Sequence, residues 1–311
     1  MGAAAPRADA VGCLTIRYPL SAIRYPLPPL ATEVSSLIDE GIARLRRVSD
    51  RPRHESEILL AAALEKPRTW LLAHPEERIL DCDATDRYES HVTRRAHGEP
   101  IAYILGEKEF CSLPLEVTPD VLIPRPETEL VVERALAHLA LDAPGRVLDL
   151  ASGSGAIALA VAHDRPRLQV VGTDVSSAAV DVARRNASRL HLPNVEFRQG
   201  DWYACVAGER FTSILSNPPY VAEHDSRVDR NVRRFEPHGA LFAGEDGLAA
   251  LRIVVGQAAS HLVTGGWLVV EHGDLQGAAV RESFLAAGFT DVATHRDLAA
   301  LERCTDGRLT R

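Results

Sequence analysis

The amino-acid sequence predicts an α/β protein, an open seven-stranded sheet with helices packed on it, preceded by a small helical domain and a connecting β-hairpin. Three observations lead there. Apolar runs of strand length alternate with helical patterns from residue 130 onward, small or polar groups stand where those runs stop, and residues 32–98 show helical spacing alone. A chain of 311 residues with 46% apolar content exceeds the usual span of one domain, roughly 100 to 200 residues, so two domains are expected.

Composition narrows the function classes. The formal charge of −8, from 35 basic and 43 acidic residues, argues against a protein that grips long stretches of duplex nucleic acid, and no stable nucleic-acid binding is expected. Cys13, Cys82, Cys111, Cys205 and Cys304 are scattered and show no CxxC spacing, so neither a disulfide framework nor a zinc site is signalled. They read as ordinary thiols of a reducing compartment, and a cytoplasmic location is expected. The 12 histidines show no metal-ligand spacing, and His163, His191 and His272 read as helix-end or loop residues. No apolar run approaches the ~18 residues of a membrane span.

Residues 1–30 read as an extended, proline-rich leader in which Ile16-Arg17-Tyr18-Pro19-Leu20 recurs as Ile23-Arg24-Tyr25-Pro26-Leu27. The helical domain spans 31–98. Thr32 is placed to cap a helix whose Val34, Leu37, Ile38, Ile42 and Leu45 share one face. A second helix starts near Pro52 with Ile58, Leu59, Ala62 and Ala63 inward, and shorter ones follow around Thr69–Leu72 and Asp83–His97. With no catalytic signature, this domain suits either a lid or a platform for a macromolecular substrate. Residues 99–121 read as a hairpin linker, with β character from Pro100 to Phe110 around a glycine turn and a partner in Leu113–Val117.

The third segment, 122–311, opens with a loop stiffened by Pro124 and Pro126 ahead of a helix over Leu130–Leu139. Strands are expected at Arg146–Leu150, Gln169–Thr173, Val195–Gln199, Phe211–Ser216, Gly265–Glu271, Thr290–His295 and Arg303–Leu309, the last two paired antiparallel. Helices are expected over 156–162, along a face that runs from Leu248 to Leu262, and over Leu275–Ala287. Between them, Val221–Gly247 reads as a polar loop of functional length.

The motifs sit where these strands stop, the edge at which open α/β sheets bind ligands. Asn217-Pro218-Pro219-Tyr220 ends the fourth strand. Asn-Pro-Pro is also a common way to leave a strand. Its chemical reading is methyl transfer to a planar nitrogen, whose delocalised lone pair is a poor nucleophile until acceptors hold its hydrogens in pyramidal geometry. The Asn217 side-chain carbonyl and the Pro218 backbone carbonyl are the candidate acceptors, with Tyr220 packing on the flat group and the Asn217 amide group facing the cofactor. Upstream, Ala151-Ser152-Gly153-Ser154-Gly155 links the first strand to a helix with residues small enough for a nucleotide-like ligand to approach the backbone. Gly153 to Ala158 also fits a dinucleotide fingerprint. Asp149, just before that turn, disfavours a pyrophosphate and favours a cationic methionine moiety. Asp174 ends the second strand, where a carboxylate accepts ribose hydroxyls, and Gly200-Asp201-Trp202 ends the third as an adenine corner. Three consecutive strands thus deliver groups suited to S-adenosylmethionine, on a seven-stranded Rossmann-like methyltransferase sheet.

Pro100-Ile101-Ala102-Tyr103-Ile104-Leu105-Gly106, Leu122-Ile123-Pro124-Arg125-Pro126-Glu127-Thr128-Glu129, Asn217-Pro218-Pro219-Tyr220 and Arg234-Phe235-Glu236-Pro237 together closely resemble the protein-(glutamine-N5) methyltransferases that modify peptide chain release factors. The resemblance covers residues 33–311. It implies methylation of the glutamine amide of a Gly-Gly-Gln motif, with the N-terminal domain helping to dock the protein substrate. It also implies that the cofactor loop falls on Ala151, Ser152, Gly153, Ser154 and Gly155, the ribose acid on Asp174, the adenine neighbour on Trp202, and the amide holder on Asn217 with Pro218, Pro219 and Tyr220. Ala151 stands where a glycine is usual in the family, which narrows the cofactor loop slightly, though alanine is small and compatible with ordinary negative φ. The mechanism this suggests is direct in-line transfer with positioning by carbonyl hydrogen bonds and no covalent enzyme intermediate. Two other readings remain, an adenine-N6 DNA methyltransferase using the same tetrapeptide on a flipped base and a noncatalytic cofactor-binding scaffold.

Overall fold

The computed structural model describes residues 1–2 and 32–310, so nearly all of the expected leader lies outside the described residues. From Thr32 the chain runs through β1 (Thr32–Glu33), α1 (Val34–Leu45), α2 (Pro52–Ala63), α3 (Arg68–Ala73), β2 (Arg78–Ile79) and α4 (Cys82–Ala96). Thr32 is not the cap of α1. It lies in a short antiparallel ladder with β2, and the capping position falls to Glu33 without a side-chain bond. In α2 the inward stripe is Ser56, Leu59, Leu60 and Ala63, whereas Ala62 is exposed and Ile58 half-buried. Ser56 fixes that rotation, since its hydroxyl bonds both the Ile38 carbonyl and the Tyr88 hydroxyl inside the helical core.

The segment expected to be extended from Pro100 is instead α5 (Ile101–Leu105), which Gly106 ends at φ 73. The hairpin is shorter than expected, β3 (Glu107–Phe110) with β4 (Leu113–Glu116), and turns at Cys111 and Ser112, not at glycine. Both turn residues have positive φ, 47 and 61, as a two-residue hairpin turn that matches strand twist requires.

A 3₁₀ turn, Pro126–Thr128, leads into α6 (Glu129–His138), and the sheet follows: β5 (Gly145–Leu150), α7 (Ala156–Asp164), β6 (Leu168–Asp174), α8 (Ser177–Arg189), β7 (Val195–Gln199) and β8 (Phe211–Ser216). The polar loop that comes next holds α9 (Arg230–Phe235), and the chain ends through α10 (Ala249–Ala258), β9 (Leu262–Glu271), α11 (Gly277–Ala286), β10 (Phe289–Arg296) and β11 (Glu302–Leu309). Leu262, expected on a helix face, is the first residue of β9, because α10 stops at Ala258. The spatial order is β10-β11-β9-β8-β5-β6-β7, with β11 antiparallel between β9 and β10. Chain order reverses between β5 and β8, and such a switch point opens a crevice outside the carboxyl ends of its strands.

Each face of the sheet has its own core. One is built on α7, buried throughout Ala156–Ala162, and the other on Val254 of α10 and Phe284 of α11. A smaller apolar joint of Tyr103, Val117, Val121, Ile123, Ala179 and Val182 welds α5 and the segment after the hairpin to α8, and the Tyr103 hydroxyl donates to the Val121 carbonyl at 2.6 Å. Asn186 of α8 reinforces it. Fully buried, it accepts from the Glu116 amide at 2.7 Å and donates to the Glu116 and Ser154 carbonyls at 3.0 Å, so one side chain ties the hairpin to the loop after β5. Asn186→Ala is expected to lower stability by about 1 to 3 kcal/mol through the buried backbone groups it orphans. Urea denaturation measures this, and an unchanged midpoint would contradict it.

Candidate functional site

A cavity of about 360 Å³ opens at the switch point. Ala151, Gly153, Asp174, Trp202, Asn217 and Pro219 line it, joined by Asp120, Val121 and Leu122 from the strap before α6 and by Pro237, Gly239 and Ala240 from the loop after α9. Six strand ends or loops distant in sequence therefore meet at one edge.

The loop after β5 divides into a wall and its backing. Ala151 and Gly153 face the cavity, whereas Ser152, Ser154 and Gly155 stand behind it. Ala151 does not take the ordinary negative φ with which alanine is compatible. Its φ is 57, a left-handed conformation that costs an L-residue roughly 1 to 2 kcal/mol. Gly153 also has positive φ, and a Cβ there would meet no atom within 4 Å, so its free side is open. Gly155 is needed for two reasons, a φ of 84 and a Cβ position only 2.8 Å from Phe197 Cζ.

Asp174 is fixed from two sides. One carboxylate oxygen accepts from the Gly153 amide and the other from the Ser176 amide, each at 2.9 Å, with the Val175 amide nearby, and a carboxylate with about four acceptor sites keeps capacity beyond these. Burial pushes its carboxyl above the usual range, and those amides pull the other way. Trp202 holds the corner after β7 at φ 46, a costly conformation for a bulky residue and one that concentrates at functional sites.

The tetrapeptide after β8 is also divided. Pro218 is buried, and the Tyr220 ring turns away from the cavity so that its hydroxyl donates to Glu271 Oε1 at 2.9 Å. The Asn217 amide nitrogen is tied on one side to the turn before α6. It donates to Thr128 Oγ1 at 3.0 Å, which leaves the carbonyl Oδ1 as the free acceptor of this side chain. Thr128 and Glu271 escaped sequence reasoning as site residues. The one signal for Glu271 is a carboxylate closing an apolar strand.

The motifs around Arg125 and Glu236 hold two walls of the cavity together. Glu236 is buried, accepting from Arg125 Nη2 at 2.5 Å and from the Ile123 amide at 3.2 Å. This clamp binds the strap at 120–122 to the loop carrying Pro237. Among the described residues no histidine lines the cavity: His272 lies in the loop after β9, as expected, but is fully buried there, its ring between the Gly273 carbonyl and the Thr305 hydroxyl. Among the described residues no group of His, Cys, Asp and Glu is placed to hold a metal, and no helix is long and apolar enough to cross a membrane.

Two buried carboxyls sit beside the site. Burial pushes Asp149 up to about 7, and Oδ1 has no hydrogen-bond partner while Oδ2 accepts from the Ala158 amide. Burial likewise pushes Glu271 up to about 7. Both therefore bind a proton on folding at pH values between their unfolded and folded pKa, so their contribution to stability is full below about pH 4 and lost as pH rises to about 7. Asp149→Asn is expected to flatten that decline, measured by urea unfolding at pH 5 and pH 8; an equally steep decline in the variant would exclude Asp149.

The chain is similar to known proteins. A family described as "Methyltransferase small domain" matches residues 128–242, and the "PrmC N-terminal domain" matches residues 36–106. A methyltransferase crystal structure from Pyrococcus furiosus, 18% identical, superposes with a TM-score of 0.50 over 72% of this chain and 100% of its own, a likeness of fold. Sheet order, switch-point cavity and these matches define a methyltransferase with a Rossmann-like sheet. The release factor glutamine methyltransferase of Xylella fastidiosa is 48% identical over 268 residues, 86% of this chain and 97% of its own length. That of Escherichia coli is 44% identical over 276 residues, 89% of this chain and 99% of its own. The chain belongs to the release factor glutamine methyltransferase family.

Proposed function

We propose that the protein methylates the side-chain amide nitrogen of glutamine in the Gly-Gly-Gln motif of peptide chain release factors, in the cytoplasm, with S-adenosylmethionine as donor. The observation that supports this most is the Asn217 carbonyl, held at the mouth of a cavity of nucleoside size by a side chain whose amide group is already engaged. Residues 31–98 are assigned to docking the protein substrate, 99–121 to the linker and 122–311 to catalysis.

The cavity fits the donor. Asp174 has acceptor capacity left for a ribose diol, the open side of Gly153 admits close approach, and Trp202 offers a ring surface for adenine. Ser152, Ser154 and Gly155 hold the loop's shape from behind. When bound, S-adenosylmethionine supplies an electrophilic methyl group on a sulfonium. The protein's part is positioning. Asn217 Oδ1 and the Pro218 carbonyl accept the amide hydrogens of the substrate and favour pyramidal nitrogen, Pro219 shapes the wall, and Tyr220 braces the turn through Glu271. No side chain needs to act as a general base, since the nitrogen becomes strongly acidic on methylation and loses its proton to a carbonyl or water.

With radiolabelled donor, label is expected on a folded release factor and not on one whose Gly-Gly-Gln glutamine is replaced by asparagine. Label on duplex DNA with the release factor blank would overturn the proposal. Asn217→Ala is expected to lose about 10² to 10³ in rate, by analogy with removing one positioned hydrogen bond, with an unchanged melting transition. Asp174→Ala is expected to weaken donor binding by roughly 1.5 to 3 kcal/mol in calorimetry, and unchanged affinity in the folded variant would remove Asp174 from the site.

A further inference from the structure

We infer that Thr128 and Glu271 are positioning residues that hold the Asn217 amide in the one orientation able to accept a hydrogen bond from the substrate nitrogen. The inference rests on the role proposed for Asn217. A side-chain amide has two ends of nearly equal shape and opposite polarity, so only its neighbours decide which end faces the ligand. Turned over, Asn217 would present donors to a substrate amide that itself donates, and the contact would become repulsive.

Thr128 decides the orientation because its Oγ1 accepts from Asn217 Nδ2 at 3.0 Å. A hydroxyl can also donate, and a Thr128 proton aimed at Asn217 would stabilise the wrong orientation. Glu271 draws that proton away. Glu271 is 1% exposed, its Oε1 accepts from Tyr220, its Oε2 is buried without a hydrogen-bond partner, and the Thr128 hydroxyl lies near enough to oppose the effect of burial on its pKa, so Oε2 is the acceptor open to that proton. Thr128 itself is 4% exposed, so no bulk water competes for its proton. The three residues come from the turn before α6, the end of β8 and the end of β9, and polarity runs one way along them, from Asn217 to Thr128 to Glu271. Protonated Glu271 would reverse that direction by donating to Thr128. Among the charged and titratable groups facing Glu271, Arg303 favours its ionised form and Glu127 opposes it, while the Tyr220 hydroxyl bond favours ionisation.

The test measures kcat and both KM values, with a release factor as substrate, for Thr128→Val, Thr128→Ser and Glu271→Gln, and for Thr128→Val combined with Asn217→Ala. Thr128→Val is expected to lower kcat about 10- to 100-fold, the usual scale for losing an outer-shell partner, with little change in either KM. Thr128→Ser keeps the hydroxyl and should recover most of that loss. In the Asn217→Ala background Thr128→Val should add no further loss, since the two act as a unit. The wild-type kcat should rise with pH through about 7, a limb that Glu271→Gln should abolish. Wild-type kcat in Thr128→Val, or a loss that adds to that of Asn217→Ala, overturns the relay while leaving the role of Asn217 intact. Full activity in Asn217→Ala itself overturns the proposed role of Asn217 and the relay with it. Melting transitions of all variants separate either result from misfolding.

Discussion

The ion pair between Glu236 and Arg125 sets the width of the cleft, and most of what the site does depends on that width. A buried carboxylate is tolerable only when its charge is met and its oxygens are hydrogen-bonded, and Glu236 satisfies both conditions with groups from a single short stretch, the Arg125 guanidinium and the Ile123 amide. That stretch also carries Leu122 and Val121 on one cavity wall, and Glu236 is followed by Pro237 on the other. Fixing one carboxylate therefore fixes two walls. The same strap continues into Thr128, so clamp and amide holder share about one turn of chain.

Two strained backbone positions lie along the edge that the clamp encloses. Ala151 and Trp202 are both left-handed, and neither is glycine. Such residues persist only where the surroundings over-determine them. At Ala151 the surroundings are the Thr173 carbonyl, which accepts from the Ser152 amide, and the Asp174 carboxylate, which takes the Gly153 amide. The side chain assigned to the ribose thus also keeps the backbone beneath the ligand in shape.

Sequence reasoning located the strands well where apolar runs are bounded by polar groups, and both Val195–Gln199 and Phe211–Ser216 have the expected ends. It misassigned residues 101–105 because five apolar residues are too few to show a period. Pro100 and Gly106 decide the matter by starting and stopping a short helix. At the cavity, Ala151, Gly153, Asp174, Trp202, Asn217 and Pro219 were legible because each belongs to a local motif at a strand end. Thr128, Asn186 and Glu271 were not, since their meaning lies in partners far along the chain: 217 for 128, 116 and 154 for 186, and 220 for 271. The positive φ of Ala151 was equally hidden, for nothing in an alanine announces a left-handed turn.

The placement of β11 bears on how the protein is made. This strand lies between β9 and β10 and pairs with both, yet it follows both in the chain. During synthesis β9 and β10 therefore emerge with nothing between them, and the apolar residues Leu268 to Val270 border an open ladder until residues 302–309 arrive. An unpaired edge of that kind invites strands from other chains. The half of the sheet that borders the cavity, β5 to β8, does not need β11 as a direct neighbour, so a nascent chain can assemble this crevice before its sheet is sealed.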